Sequence, residues 1–260
     1  IADFNGDGRD DIAFIAELDL DMGTQQRIEG KSTVWIQQNT EDGWKLVTEG
    51  LPIVLISDDI ESVDVDGDGR VDLVVGSNTA DWRKLVYFNR EDGWEEQFSH
   101  GVLSNTYHFD VETRTREDGT VEVYSAFMQY RMINKENQAR TGLIRYEWTE
   151  DGLVAPNDAV YFDDDRANPY VRVGIGDLNG DGVIDLVAGR KLGGLEAWTG
   201  KGDGTYLLEQ SPELAGPGRA FHIELVDMNG DGRDDIVAGF ATVEEKQGGV
   251  RLWLTGERDE

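Results

Sequence analysis

Four stretches of this chain set oxygen-bearing side chains at alternate positions: "DFNGDGRDD" (3–11), "DVDGDGRVD" (64–72), "DLNGDGVID" (177–185) and "DMNGDGRDD" (227–235). The shared pattern is D-x-[DN]-G-D-G-x-x-D. Oxygens at positions 1, 3 and 5 with a backbone carbonyl at 7 suit a hard cation, and glycine at 6 allows the bend that wraps them round one ion. The expected chemistry is calcium binding by four sets of residues. They are Asp3, Asn5, Asp7, Arg9 and Asp11; Asp64, Asp66, Asp68, Arg70 and Asp72; Asp177, Asn179, Asp181, Val183 and Asp185; and Asp227, Asn229, Asp231, Arg233 and Asp235. Arg9, Arg70, Val183 and Arg233 would offer only their main-chain carbonyls. Ligation by oxygen alone disfavours zinc and copper, and magnesium prefers to keep its waters.

An EF-hand would end its shell with a bidentate Glu at position 12, at the start of a helix. Position 12 here is Phe14, Val75, Ala188 and Ala238, each inside an apolar, β-like run. The closing ligand is therefore Asp at position 9, and the loop joins two strands. An Asp/Asn/Gly-rich turn that binds nothing is the plain alternative for any single copy.

These loops need a repeated scaffold. They begin at 3, 64, 177 and 227, and the middle interval is about twice the others. A decayed fifth copy fills that gap: "YHFDVETRTREDGTVEVYSAF" (107–127) keeps the flanking β pattern around Arg-Glu-Asp-Gly-Thr, which reads as an ordinary hairpin turn. A second feature recurs in step, the aromatic or β-branched runs "TVWIQQ" (33–38), "KLVYFN" (84–89), "GLIRYEW" (142–148), "GLEAWTG" (194–200) and "GVRLWL" (249–254). The first four are followed by a tight turn ending in Gly43, Gly93, Gly152 or Gly204 and then by another strand-like segment.

Each unit reads as strand, cation loop, strand, variable loop, strand, tight turn, strand. Four strands recurring every 50–60 residues predict an all-β fold, a β-propeller of four-stranded antiparallel blades at roughly 1–52, 53–102, 103–164, 165–214 and 215–260. Paired β-sandwiches would not explain a common period.

The loop motif, followed by an apolar run ending in Gly, resembles the FG-GAP/VCBS repeat family over essentially the whole chain. It is similar to the calcium-bearing blades of integrin α-subunit propellers and of bacterial secreted proteins. The resemblance implies calcium between the first two strands of a blade, and a secreted, periplasmic or cell-surface location, most naturally bacterial. "VAGF" (237–240) keeps only half of the motif that names the family. Relatives commonly have seven blades and five are visible here. With little sequence before the loop at 3 and no fourth strand after "VRLWL", the chain reads as an internal fragment of a longer propeller.

Composition narrows the partners. Acidic residues outnumber basic ones 53 to 24, a formal charge of −29, which opposes nucleic-acid or anionic-membrane binding. No apolar stretch reaches the ~20 residues of a membrane helix. The absence of cysteine excludes disulfides and thiolate sites. The start Ile-Ala-Asp-Phe, without an initiator Met, reads as processed or truncated.

In an up-and-down blade the cation loop and the tight turn share one end. The variable connections, at 19–31, 78–83, 130–141, 155–169, 211–219 and 240–248, share the other. Recognition of a protein or carbohydrate ligand is therefore expected opposite the cations. Candidate contacts are Trp82 and Arg83 in "NTADWRK", and Arg131, Lys135 and Arg140 in "YRMINKENQAR". The blander readings are a Trp covering a neighbouring blade and a solvated hairpin tip. Trp35, Trp148, Trp198 and Trp253 recur in the third strand, as blade-to-blade packing would require. For an enzyme the signals are thin: His100, His108 and His222 do not align between repeats, and no G-x-S-x-G occurs. A catalytic carboxylate pair cannot be singled out among 53 acids. The leading reading is a calcium-stabilised extracellular adhesion or ligand-recognition module. A propeller domain of a secreted carbohydrate-active enzyme and a structural spacer are the alternatives.

Overall fold

The computed structural model describes residues 1–15, 20–21, 26–27, 34–52, 57–77, 85–102, 105–133, 136–156, 159–163, 165, 167–209, 214, 218–242 and 247–256. Every element named below is a strand. In the first sheet, β1 (Ile12–Ile15) precedes a short ladder of β2 (Leu20–Asp21) and β3 (Gln26–Arg27), then β4 (Val34–Thr40) and β5 (Gly43–Val47). The sheet order is β1-β4-β5, and Ala2 bridges Asp11 at its head. The second sheet runs β6 (Ser57–Val63), β7 (Asp72–Ser77), β8 (Val86–Arg90) and β9 (Gly93–Gln97), in that order.

The third sheet holds β10 (Thr106–Thr115), β11 (Val121–Ile133), β12 (Glu136–Thr149) and β13 (Gly152–Val154), with β14 (Ala159–Asp163) also paired to β12. The fourth is β15 (Tyr170–Gly176), β16 (Asp185–Arg190), β17 (Leu195–Gly200) and β18 (Tyr206–Glu209). The fifth is β19 (Arg219–Val226), β20 (Asp235–Thr242) and β21 (Gln247–Trp253). Five consecutive antiparallel meanders make this the β-propeller fold expected from the repeat, one sheet to a blade.

Burial explains why these segments are strands. Strands covered on both faces read as unbroken apolar runs, and "VYFN" of β8 and "DLVAG" of β16 are buried without interruption. The outermost strands, β9 and β18, alternate half-buried with exposed residues.

The chain divides into two compact units, residues 1–123 with 145–156, and residues 124–144 with 157–260. In the first, Phe4, Val34, Ile36, Leu51, Leu73, Val75 and Tyr87 form one core across the first two blades. Trp148 meets Phe88 edge-on at 5.3 Å, packing between blades as expected. In the second, Trp198 lies among Tyr161 and Tyr170, at 5.8 and 5.6 Å. Neighbouring blades approach so closely here that a Cβ on Gly174 would come within 2.6 Å of Leu225 Cδ1. Trp35 and Trp253 meet Phe14 and Phe240 edge-on within their own sheets, and Trp253 also packs against the core shared by the fourth and fifth blades.

Three connections read as variable loops contain strand. Residues 130–141 continue β11 and β12 as a long hairpin, β14 lies inside 155–169, and β20 and β21 extend into 240–248. Strand formers such as Tyr130 and Ile133 carry the β pattern into the string that suggested a loop. The decayed third copy is a plain hairpin turn, with the Gly119 N–H donating to the Arg116 carbonyl at 2.9 Å.

His108 on β10 is fully buried beside the Tyr146 ring, and burial pushes its pKa down to about 3. A depressed folded pKa leaves this contribution to stability complete above the unfolded value of 6.5 and erodes it as pH falls toward 3. We expect about 2 kcal/mol to be lost between pH 6.5 and 5 through this residue. Denaturant melts across that window should be flatter for His108→Phe than for the parent. Parallel slopes would refute the assignment.

Candidate metal centre

Each of the four loops links the first strand-like segment of its blade to the second, and all four have the same main-chain form. Glycines at positions 4 and 6 are left-handed, as in Gly67 (φ 76°) and Gly69 (φ 86°), a conformation that side chains oppose. The first Asp then gathers three N–H groups. Asp64 Oδ1 accepts from Gly67 at 2.9 Å and Asp68 at 3.1 Å, and its Oδ2 accepts from Gly69 at 2.9 Å. Asp3, Asp177 and Asp227 accept from the matching amides at 2.6–3.2 Å.

The amides leave Asp3 and Asp227 readily ionised. At Asp227 the Gly232 N–H leads in holding the pKa below the usual range. At Asp3 burial pushes upward, but the N–H groups of Gly8, Asp7 and Gly6 together outweigh it. Side chains at positions 3 and 5 each cap the amide two residues on, as Asn179 does for Asp181 at 2.9 Å and Asp181 for Val183 at 2.8 Å.

The ninth residue behaves differently. Asp11, Asp72, Asp185 and Asp235 are buried, and each spends both oxygens on backbone amides. One oxygen accepts from position 2 of its own loop: Phe4, Val65, Leu178 or Met228. The other accepts from the third strand or just beyond it: Asn39, Asn89, Gly200 or Thr255. This Asp therefore staples the loop to two strands, a role its spacing alone does not disclose. Each carboxylate oxygen keeps a further lone pair that can meet a cation.

The second loop brings Asp64, Asp66 and Asp72 together, with one ligand oxygen from each within 4.8 Å of the others, so this cluster could hold a metal ion. In the other loops Asn5, Asn179 and Asn229 stand where Asp66 does. Burial, followed at a distance by the charges of Asp66 and Asp68, pushes the Asp72 pKa up to about 6 despite the Asn89 and Val65 amides. Asp185 is shifted upward for the same leading reason. A cation beside such a group would favour its charged form, and an oxygen-only donor set suits a hard ion.

Asp68 faces a guanidinium. Arg90 Nη1 lies 2.9 Å from Asp68 Oδ2 and Nη2 lies 2.8 Å from Asp66 Oδ2, above the Phe88 ring at 4.1 Å. Arg90 was not among the residues picked from sequence. Its place three residues before Gly93, at the tight turn, is the signal that could have found it. The contacts Arg70–Glu91 and Arg9–Glu41, at 3.6 and 3.9 Å, likewise put the first two cation loops beside the tight turns of their own blades, as expected.

Of the proposed ligand contacts, Trp82, Arg83 and Lys135 lie outside the described residues, as does the side chain of Arg131. Arg140 on β12 donates to Gln129 Oε1 at 2.9 Å. At the end of the fourth blade away from its cation loop, Arg190 joins Asp163 and Glu196 at 2.8 Å each. Sequence patterns alone did not single out that cluster.

The family model for FG-GAP-like repeats matches residues 3–75 and 177–238, more than half of the chain. The chain belongs to that repeat family. No curated protein matches it in sequence. Solved structures similar in form include a protein assigned as an exo-β-1,3-galactanase from Bifidobacterium bifidum s17. That pair is 13% identical, covering 86% of this chain and 80% of the other, with a TM-score of 0.49. A thermostable family-43 glycoside hydrolase is 12% identical over 86% and 81%, also at 0.49. A GH43 β-xylosidase/α-arabinofuranosidase from a compost microbial metagenome is 11% identical over 94% and 89%, at 0.45. At these identities and scores the similarity carries no function across.

The staple makes a direct prediction. In chelator, Asp185→Ala should cost roughly 2–5 kcal/mol in urea unfolding, because it strands the Leu178 and Gly200 amides. Asp181→Ala, which frees only an exposed turn bond, should cost within about 0.5 kcal/mol. Equal losses would contradict the staple.

Proposed function

We propose that this FG-GAP-like propeller is a calcium-stabilised extracellular module whose end opposite the cation loops recognises a protein or carbohydrate ligand. The observation that carries the calcium part is the clustering of Asp64, Asp66 and the buried Asp72 on a preformed loop. Three carboxylates converge there, Arg90 pairs with Asp66 among them, and the same loop form recurs three times. By that likeness, Asp3, Asn5, Asp7 and Asp11, then Asp177, Asn179, Asp181 and Asp185, then Asp227, Asn229, Asp231 and Asp235 are the ligand sets of the other sites. Calcium would be structural, since millimolar extracellular concentrations suffice for sites of this kind.

Recognition is assigned to the other end because the cation end is short and uniform from blade to blade, whereas connections at the far end differ in length and sequence. Trp82, Arg83, Arg131, Lys135 and Arg140 are the proposed contacts.

Saturating EDTA should lower the melting temperature by several degrees, and added CaCl2 should restore it; an unchanged melt would sink the calcium part. Glycan and protein binding arrays, read with and without calcium, test recognition. Binding should fall at least tenfold in Trp82→Ala, or on charge reversal at Arg131, Lys135 and Arg140. Binding that survives all four changes would move the contact surface elsewhere, and turnover of a bound glycan would favour the carbohydrate-enzyme reading instead.

A further inference from the structure

We propose that the loops at 177–185 and 227–235 bind their cations cooperatively, with Asp234 as the residue that couples them. The inference rests on the calcium reading above. Asp234 is the eighth residue of the later loop, set between two of its proposed donors, the Arg233 carbonyl and the Asp235 carboxylate. Its own side chain turns to the earlier loop. Asp234 Oδ2 accepts from the Asp177 N–H at 2.7 Å, and the Asp234 N–H donates to the Asp177 carbonyl at 2.8 Å. Residue 234 therefore grips the main chain of residue 177 from both sides.

Asp177 is the first ligand of the earlier loop and the hub of its cage, accepting from Gly180, Asp181 and Gly182. The surroundings leave this grip little slack. A Cβ on Gly176 would come within 2.6 Å of Asp234 Oδ2 and 2.7 Å of Leu225 Cβ, and one on Gly180 within 3.2 Å of Arg233 Cγ. Positions 7 and 8 of one loop thus lie against positions 1 and 4 of the other.

A cation held by the Arg233 carbonyl and Asp235 restrains the residues on either side of Asp234. Asp177 is then already placed when the second cation arrives, so part of its ordering cost has been met. The sign of the coupling is positive, and by linkage it is the same in both directions. The motif itself does not encode this. Position 8 is Asp10, Val71 and Ile184 in the other loops, and only the packing of β15 against β19 sets Asp234 on Asp177.

The test is a CaCl2 titration of the whole chain by NMR, reading the Gly182 amide for the earlier loop and the Gly232 amide for the later one. Removing the later site with Asp227→Ala should weaken calcium binding at Gly182 by on the order of tenfold. Asp231→Ala serves the same purpose should Asp227→Ala fail to fold. In an Asp234→Ala background the same removal should leave Gly182 unchanged, whereas Asp234→Asn, whose amide oxygen still accepts from Asp177, should keep the effect. Equal weakening with and without Asp234, or none in either, would overturn the coupling while leaving the calcium sites standing. A parent protein in which neither glycine responds to calcium would overturn both.

Discussion

The interaction on which each blade with a cation loop depends is the buried carboxylate that closes that loop. Asp11, Asp72, Asp185 and Asp235 each hold two backbone amides, one from the loop and one from the third strand or just past it. A charged acceptor makes hydrogen bonds stronger than neutral ones. Removing it would leave two donors unpaired in sites closed to water. One side chain therefore sets the loop's path, the start of the second strand and the position of the third. Burying that charge has its own cost, visible in the upward shifts at Asp72 and Asp185, and a cation held in the loop is the natural counterweight.

The blade that lost its loop meets the same electrostatic problem by other means. At the corresponding end of the third sheet, Arg145 lies 3.3 Å from the buried Glu122 and 3.0 Å from Glu147, and Arg116 adds a 3.7 Å contact to Glu147. Guanidinium groups stand there in place of a loop of carboxylates. Arg90 shows the intermediate case, an arginine laid across a loop that keeps all its acids. In a chain with a formal charge of −29, these guanidinium groups relieve self-repulsion that would otherwise oppose compaction.

Much of this was legible in the residues. Four copies of D-x-[DN]-G-D-G-x-x-D at a common spacing carried the repeat, the β-strands on either side and the hairpin in the decayed copy. The apolar residues at position 12 excluded a helix-flanked loop, and residues 72–77 and 185–190 are indeed strands. The length of the β11 and β12 strands was missed because polar residues such as Asn137 and Gln138 imitate a loop. Strand pairing overrides that local preference, because β-propensity depends strongly on context. The split of the third sheet's outer strand into β13 and β14 was missed for a related reason: Pro156 interrupts the pattern, and the pairing to β12 resumes at Ala159.

Local sequence alone determined the loop's form, because its glycines adopt left-handed angles and its acids cap amides two to five residues away. Those bonds form within the nine-residue motif and need no distant partner. Tertiary structure decided what contacts that form. Asn89 reaches the Phe4 carbonyl across 85 residues of chain, Arg90 settles on Asp66 and Asp68, and Asp234 grips Asp177 across 57. Such contacts depend on which strands neighbouring blades press together, and a periodic pattern records the blade rather than its neighbour.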